Sequence, residues 1–229
     1  MMTEVSPNDF VLANHLGVDV IGFSDANPEF AIINFSSMNI GKFERWSWFY
    51  QRRMRVPCLY LFLRDDDQHY YLGRDGKLAL ARLRVIQDEL GKRGIPERNT
   101  LTVGSSMGGY AAVYFAHELH SKAAISVNPQ VDLESATLHS FTNWVRKMRE
   151  VGCGWVDLQD FVLSHPAAPT VYLRTGSYLA DRAAGEKLQG ALTIKGQRII
   201  REYDEIETHG WGTLSSGRLF EIVEHLAFD

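Results

Sequence analysis

The chain has 229 residues, a formal net charge of −4, 45% hydrophobic and 23% charged residues. That length accommodates one sizeable core but not two, and the composition is that of a globular rather than a disordered protein. The mildly acidic balance gives no reason to expect nucleic acid or an anionic membrane as a partner. Cys58 and Cys153 are the only cysteines and lie outside any C-x-x-C pair, which argues against a disulfide framework or a structural zinc site.

The opening segment MMTEVSPNDFVLANHLG lacks the basic and apolar regions of a signal peptide. No apolar run approaches the ~20 residues of a membrane span. The expectation is a cytoplasmic protein with no membrane span, forming a single domain over residues 1–229.

In chain order, Ala31–Phe35 and Cys58–Leu63 are continuous apolar runs of strand length, as expected for strands buried on both faces. Between them the aromatic-rich segment Lys42–Met54 reads as a helix. Lys77–Arg93 places Ala79, Leu83, Ile86 and Leu90 on one helical face, with Gly94 and Pro96 as the stop. Thr100–Val103 is a strand, followed by Gly104–Gly109 and a helical run through Tyr110, Ala111, Tyr114 and Phe115. Ala123–Val127 is the next strand, ended by Asn128-Pro129. A short helical insertion spans residues 132–168, with an amphipathic helix over Phe141, Trp144, Val145, Met148 and Val151 and a shorter one over Val156–Leu163. Val171–Arg174 is a strand, Ala180–Leu192 a helix, and Arg198–Tyr203 the last strand. The closing helix carries Leu219, Ile222, Val223 and Leu226 on one stripe, with Thr213 or Ser215 placed to cap it. Strands alternating with helices of this length predict βαβ units and a mostly parallel sheet.

Gly104-Ser105-Ser106-Met107-Gly108 fits G-x-S-x-G. A chain of this composition would contain such a pentapeptide by chance about once in ten, so its context decides. The motif follows a strand directly and opens a helix, and at such a turn a serine projects from the carboxyl edge of the sheet. The flanking glycines let strand and helix approach, and the helix N-terminus brings unpaired amides to the same place.

On these residues the chain resembles the α/β-hydrolase superfamily from about residue 31 to the end. The resemblance implies a nucleophile, then an acid, then a histidine in chain order. Ser106 stands at the nucleophile position. His209 lies between the last strand and the closing helix, where the family carries its base. Asp181, shortly after Val171–Arg174, stands where the family usually places the acid, and Asp132 is the main substitute. The other histidines fit less well: His117, His120 and His225 are helical, His139 and His165 precede the acid, and His15 and His69 precede the elbow. The implied oxyanion donors are the backbone N–H of Met107 and one N–H from the loop after Ala31–Phe35. In that loop Ser36-Ser37-Met38 stands where relatives often carry His-Gly, so the second donor falls to Ser37 or Met38.

Around this set, Trp46, Trp48, Phe49 and Tyr50 read as core more than pocket. Arg52, Arg53 and Arg55 read as a solvated basic face, and Asp65-Asp66-Asp67 as an acidic loop rather than a metal site. His69-Tyr70-Tyr71 lies in a loop that can reach the mouth of the site.

The resemblance implies cleavage of a carboxylic ester or thioester through an acyl-enzyme on Ser106, with no cofactor. The short insertion implies an open site for a small-molecule or carbohydrate-linked acyl substrate. GSSMGGY in so short a chain also resembles hydrolase-like proteins of bacterial capsule and surface-polysaccharide pathways. The alternatives are an O-acyltransferase acting on a sugar hydroxyl and a catalytically silent binding protein of the same fold.

Overall fold

The computed structural model describes residues 19–139, 143–211 and 214–228. Seven strands form one sheet in the order β1-β3-β2-β4-β5-β6-β7. They are β1 (Asp19–Ser24), β2 (Phe30–Phe35), β3 (Cys58–Arg64), β4 (Thr100–Ser105), β5 (Ala123–Val127), β6 (Thr170–Thr175) and β7 (Ile199–Tyr203). All neighbours pair in parallel except β1, which runs antiparallel to β3 at one edge.

The continuous apolar strands are covered on both faces, as their sequence requires. Ala31, Ile33 and Phe35 of β2 and Leu59, Leu61 and Leu63 of β3 enter one core. Their alternate neighbours Phe30, Ile32, Cys58, Tyr60 and Phe62 enter the other. On the first face pack α2 (Ala79–Lys92), α3 (Met107–Glu118), α5 (Asn143–Val151), α6 (Leu158–Ser164) and α7 (Leu179–Ile194). On the second lie α1 (Trp46–Gln51) and α8 (Ser216–Phe228). The α8 stripe Leu219, Ile222, Val223 and Leu226 is buried throughout, and Ser215 Oγ caps its start by accepting from Arg218 N–H at 3.2 Å. Thr213 and Phe141 lie outside the described residues. Among the described residues, no helix is long and apolar enough to cross a membrane.

Three features depart from the sequence expectations. The edge strand β1, whose sequence DVIGFS breaks its apolar run with Gly22, is not among the expected strands. The helix expected over Lys42–Met54 shrinks to Trp46–Gln51, because Arg45 takes a left-handed backbone (φ 65) and Arg52 is extended. Asp65 is not part of a solvated acidic loop: it is 4% exposed and pairs with the equally buried Arg82 at 3.0 Å.

After β2 the chain adds β3 on one side, then crosses back to lay β4 on the other. The crevice beyond the carboxyl ends of β2 and β4 is therefore a topological switch point, where sheets of this kind bind ligands. The approach of β4 to α3 beside it is tight, since a Cβ on Gly104 would lie 1.9 Å from the Gly108 carbonyl oxygen. Gly104→Ala is expected to lower unfolding free energy by about 3 kcal/mol or more. Gly190→Ala, in α7 with open space around it, should raise it by about 0.5–1 kcal/mol. Urea unfolding of both variants checks the contrast, and an unaffected Gly104→Ala would refute the close approach.

Candidate active site

Ser106 follows the last residue of β4 and precedes the first of α3, with φ 55 and ψ −123. A non-glycine residue in this region carries about 1–3 kcal/mol of strain and persists only where its surroundings impose it. Here they do. Ser106 N–H is held by the Val127 carbonyl at 2.9 Å, and its own carbonyl accepts from Gly109 and Tyr110 N–H. A Cβ on Gly108 would meet the Phe35 and Ser36 carbonyl oxygens at 2.3 and 2.8 Å, so the start of α3 rests directly on the loop after β2.

His209 arrives from the segment after β7. Its Nε2 lies 2.8 Å from Ser106 Oγ and its Nδ1 lies 2.7 Å from Asp181 Oδ1. With Asp181 ionised, Nδ1–H donates to the carboxylate and Nε2 accepts from the serine hydroxyl. Asp181 sits in the first turn of α7 and is 1% exposed. Burial raises its pKa above the ordinary carboxylate value, an effect that the His209 contact only partly offsets. Its second oxygen, Oδ2, has no hydrogen-bond partner among the described residues.

Asp132, the substitute acid, is engaged elsewhere. It caps the short helix α4 (Leu133–Ala136) by accepting from Ser135 N–H at 2.6 Å, and it pairs with Lys187 at 3.2 Å. Of Ser37 and Met38, the two residues expected to offer the second oxyanion donor, Ser37 has its amide occupied. Its N–H donates to Glu44 Oε2 at 3.0 Å and its hydroxyl to Glu44 Oε1 at 2.5 Å, so its amide is committed. Met38 N–H, one residue on, has no acceptor among the described residues. Met107 is the first residue of α3, so its N–H has no intrahelical partner.

Ser106, His209, Ser37 and Met38 border one cavity of about 560 Å³, walled further by Asn39, Glu44, Arg45, Trp48, Trp144 and Trp211. The aromatic segment thus divides its roles. Phe49 is core, Trp48 faces the cavity, and Trp46 and Tyr50 are exposed. Arg53 and Arg52 lie over the Phe23 and Phe220 rings and border no part of the cavity.

No family model matches the sequence, and no curated protein matches it either. Solved structures do match in fold. The capsule O-acetyltransferase of Neisseria meningitidis serogroup A superimposes with a TM-score of 0.67 at 15% identity, over 95% of this chain and 98% of its own. FphF, a fluorophosphonate-binding serine hydrolase of Staphylococcus aureus, gives 0.63 at 12% identity, over 93% and 92%. An esterase/lipase from an uncultured bacterium gives 0.67 at 13% identity, over 98% and 86%. The chain has the α/β-hydrolase fold.

Within this α/β-hydrolase fold, several residues that shape the site escaped the sequence reading. Asn128, buried just after β5 with φ 43, donates from Nδ2 to the Gly210 carbonyl at 2.7 Å and accepts at Oδ1 from Gly176 N–H at 2.8 Å. It thereby ties the His209 segment to the loop that leads to Asp181. The only signal in the sequence was an Asn-Pro pair closing a strand. Trp144 packs edge-on against His209 with centroids 4.3 Å apart, and His139 stacks on the same indole at 3.6 Å, its ring centroid 6.2 Å from that of His209. Burial, then the neighbouring His209, lowers the His139 pKa.

The raised pKa of Asp181 fixes the sign of a pH effect. Its folded value exceeds its unfolded value, so its contribution to stability is fully present below the unfolded pKa and is lost as pH rises through the folded one. Asp181→Asn removes that loss. The stability of the variant relative to wild type is therefore expected to improve as pH is raised from 4 toward 7, by about 1.4 kcal/mol for every tenfold by which folding strengthens proton binding at this carboxylate. Urea midpoints measured across that range should diverge in this direction, and a gap closing with pH would contradict it.

Proposed function

We propose that the protein is a serine acyl-transfer enzyme that cleaves a carboxylic ester or thioester, with Ser106 as nucleophile, His209 as base and Asp181 as the acid that orients it. The observation that carries this reading is the continuous hydrogen-bonded line from Ser106 Oγ through both nitrogens of His209 to Asp181, opening on a cavity. A cap or a satisfied loop histidine would require neither the strained serine backbone nor the buried, half-partnered carboxylate.

In the first step His209 Nε2 takes the Ser106 proton as Oγ attacks the acyl carbonyl carbon. Negative charge gathers on the carbonyl oxygen, where the N–H groups of Met107 and Met38 receive it. Asp181 holds Nδ1–H and stabilises the imidazolium. Collapse of the adduct breaks the bond to the leaving group, which takes the proton from Nε2 and departs, leaving acyl-Ser106. A water then gives a proton to His209 Nε2 as it attacks the acyl carbon, and collapse of this second adduct breaks the bond to Ser106 Oγ, which takes that proton back from Nε2 as the acid leaves.

A second reading replaces that water with a sugar hydroxyl, making the protein an O-acyltransferase. It is favoured by the end-to-end match to the capsule O-acetyltransferase, of which a mutant is solved in complex with CoA. Water and acceptor compete for the same acyl-enzyme, so the triad serves either. An acyl group on a small molecule or a carbohydrate suits a cavity this size, open to solvent and walled by three tryptophans.

Incubation with a fluorophosphonate followed by intact mass should add one phosphonyl group to wild type and none to Ser106→Ala. On p-nitrophenyl and thioester substrates of graded chain length, Ser106→Ala should lose turnover and Asp181→Asn about 10³–10⁴-fold in kcat. Equal turnover by wild type and Ser106→Ala would refute the mechanism. Added sugar acceptors that divert acyl groups from water would select the transferase, and acceptors that never do so would select the hydrolase.

A further inference from the structure

The loop after β2 has to offer a second amide to the oxyanion, yet its first stretch, Ser36-Ser37-Met38, has no glycine to shape it, the loop's one glycine being Gly41 further on. Side chains from elsewhere hold it. The peptide joining Ser36 to Ser37 is gripped at both ends: the Tyr71 hydroxyl donates to the Ser36 carbonyl at 2.8 Å, and Ser37 N–H donates to Glu44. The peptide joining Met38 to Asn39 is gripped at its carbonyl by Gln68 Nε2 at 2.7 Å. Between these two fixed planes lies the Ser37–Met38 peptide, whose N–H has no acceptor among the described residues.

Glu44 is the centre of this arrangement. Its carboxylate accepts from Ser37 N–H, Ser37 Oγ, Asn39 Nδ2 and Arg45 Nη1, and its own N–H donates to Ser36 Oγ at 3.0 Å. Arg45 in turn donates to the Phe35 carbonyl at 2.5 Å and lies over the Trp211 ring at 4.6 Å. The left-handed backbone of Arg45 ends the loop and starts α1, which lets two consecutive side chains reach back toward β2. We infer that Glu44 is a positioning residue that clamps the Ser36–Ser37 peptide so that Met38 N–H serves as the second oxyanion donor. This assignment rests on the acyl-transfer reading of the site.

Glu44 borders the cavity, so a direct role in proton transfer is the rival explanation. Burial would raise its pKa, but Arg45, Ser37 and Asn39 together hold it below the ordinary carboxylate value. A carboxylate so fully partnered is a poor proton carrier near neutral pH and a good structural anion. The Arg45 guanidinium also offsets its charge, so the oxyanion does not face a bare anion.

The test is Glu44→Gln in the full chain, assayed on the best ester substrate of the panel. Its amide cannot accept from the Ser37 N–H and hydroxyl while also meeting Arg45 and Asn39. We expect kcat to fall 10- to 100-fold with KM within twofold of wild type. Affinity for a trifluoromethyl ketone, whose adduct carries the oxyanion, should fall in parallel with kcat/KM, and the apparent pKa of the pH–rate profile should not move. Gln68→Ala, which frees only the Met38 carbonyl, should give the same signature at 3- to 10-fold, and it decides the matter if Glu44→Gln does not fold. Unchanged kcat in both variants overturns the clamp, as does a loss of kcat without loss of ketone affinity, or a shifted pH profile. A wild type that turns over no ester and takes no fluorophosphonate refutes the acyl-transfer reading and the clamp with it.

Discussion

The mouth of the cavity depends on how closely α3 can approach the sheet. Glycine at 104 and 108 removes the two Cβ atoms that would hold helix and strand apart, and the helix start then settles against the carbonyls of Phe35 and Ser36. Once that approach is made, the connection from β4 to α3 has no extended route left, and Ser106 is driven into a backbone region that its side chain opposes. The strain is local and is sustained by β4, whose six residues are all buried, and by α3, which is buried along most of its length. The same approach brings the unpaired amides of the helix start next to the loop after β2. One steric fact therefore sets both the direction of the hydroxyl and the place where negative charge can be received.

Two carboxylates of the site, Glu44 on the cavity wall and Asp181 behind His209, sit in opposite environments. Asp181 is deeply buried with, among the described residues, one polar partner and an orphaned oxygen, and burial raises its pKa. Glu44 collects four donors, one of them a guanidinium, and its pKa is lowered. Environments that push two titratable groups apart mark different roles. A carboxylate short of partners gains from an imidazolium forming beside it, which is what an orienting acid needs. A carboxylate with a full complement gains nothing from a moving proton and serves as a fixed anchor. The division does not follow from residue type, since aspartate and glutamate are chemically alike.

The strands were legible because burial on both faces leaves a plain record: continuous apolar runs such as AIINF and CLYLFL admit few other states. The edge strand β1 was not, because one neighbour and a glycine leave little pattern to read. The start of α1 was misjudged for a more informative reason. Lys42–Arg45 has the composition of a helix entrance, but Glu44 and Arg45 are drawn back to the loop after β2, and that tertiary demand overrides local preference. The acidic run at Asp65 failed in the same way, since its partner Arg82 lies 17 residues on and no local rule connects them.

For the candidate site, chain order was enough to nominate Ser106, His209 and Asp181 because the order of strands fixes which loops meet at the carboxyl edge. Chain order could not choose Asp181 over Asp132, since both follow strands that end at that edge. The structure separates them by what each carboxylate already holds. Asp132 is satisfied by the amide of Ser135 and by Lys187, whereas Asp181 faces His209. The same reasoning separates Ser37 from Met38, where the residue with the better hydrogen-bonding side chain is the one whose amide is already committed. In both pairs the group proposed for the chemistry is the one left with an unmet hydrogen bond among the described residues. Sequence lists the groups capable of bonding, but which remain unmet depends on partners brought from distant segments, and that is settled only when the chain has folded.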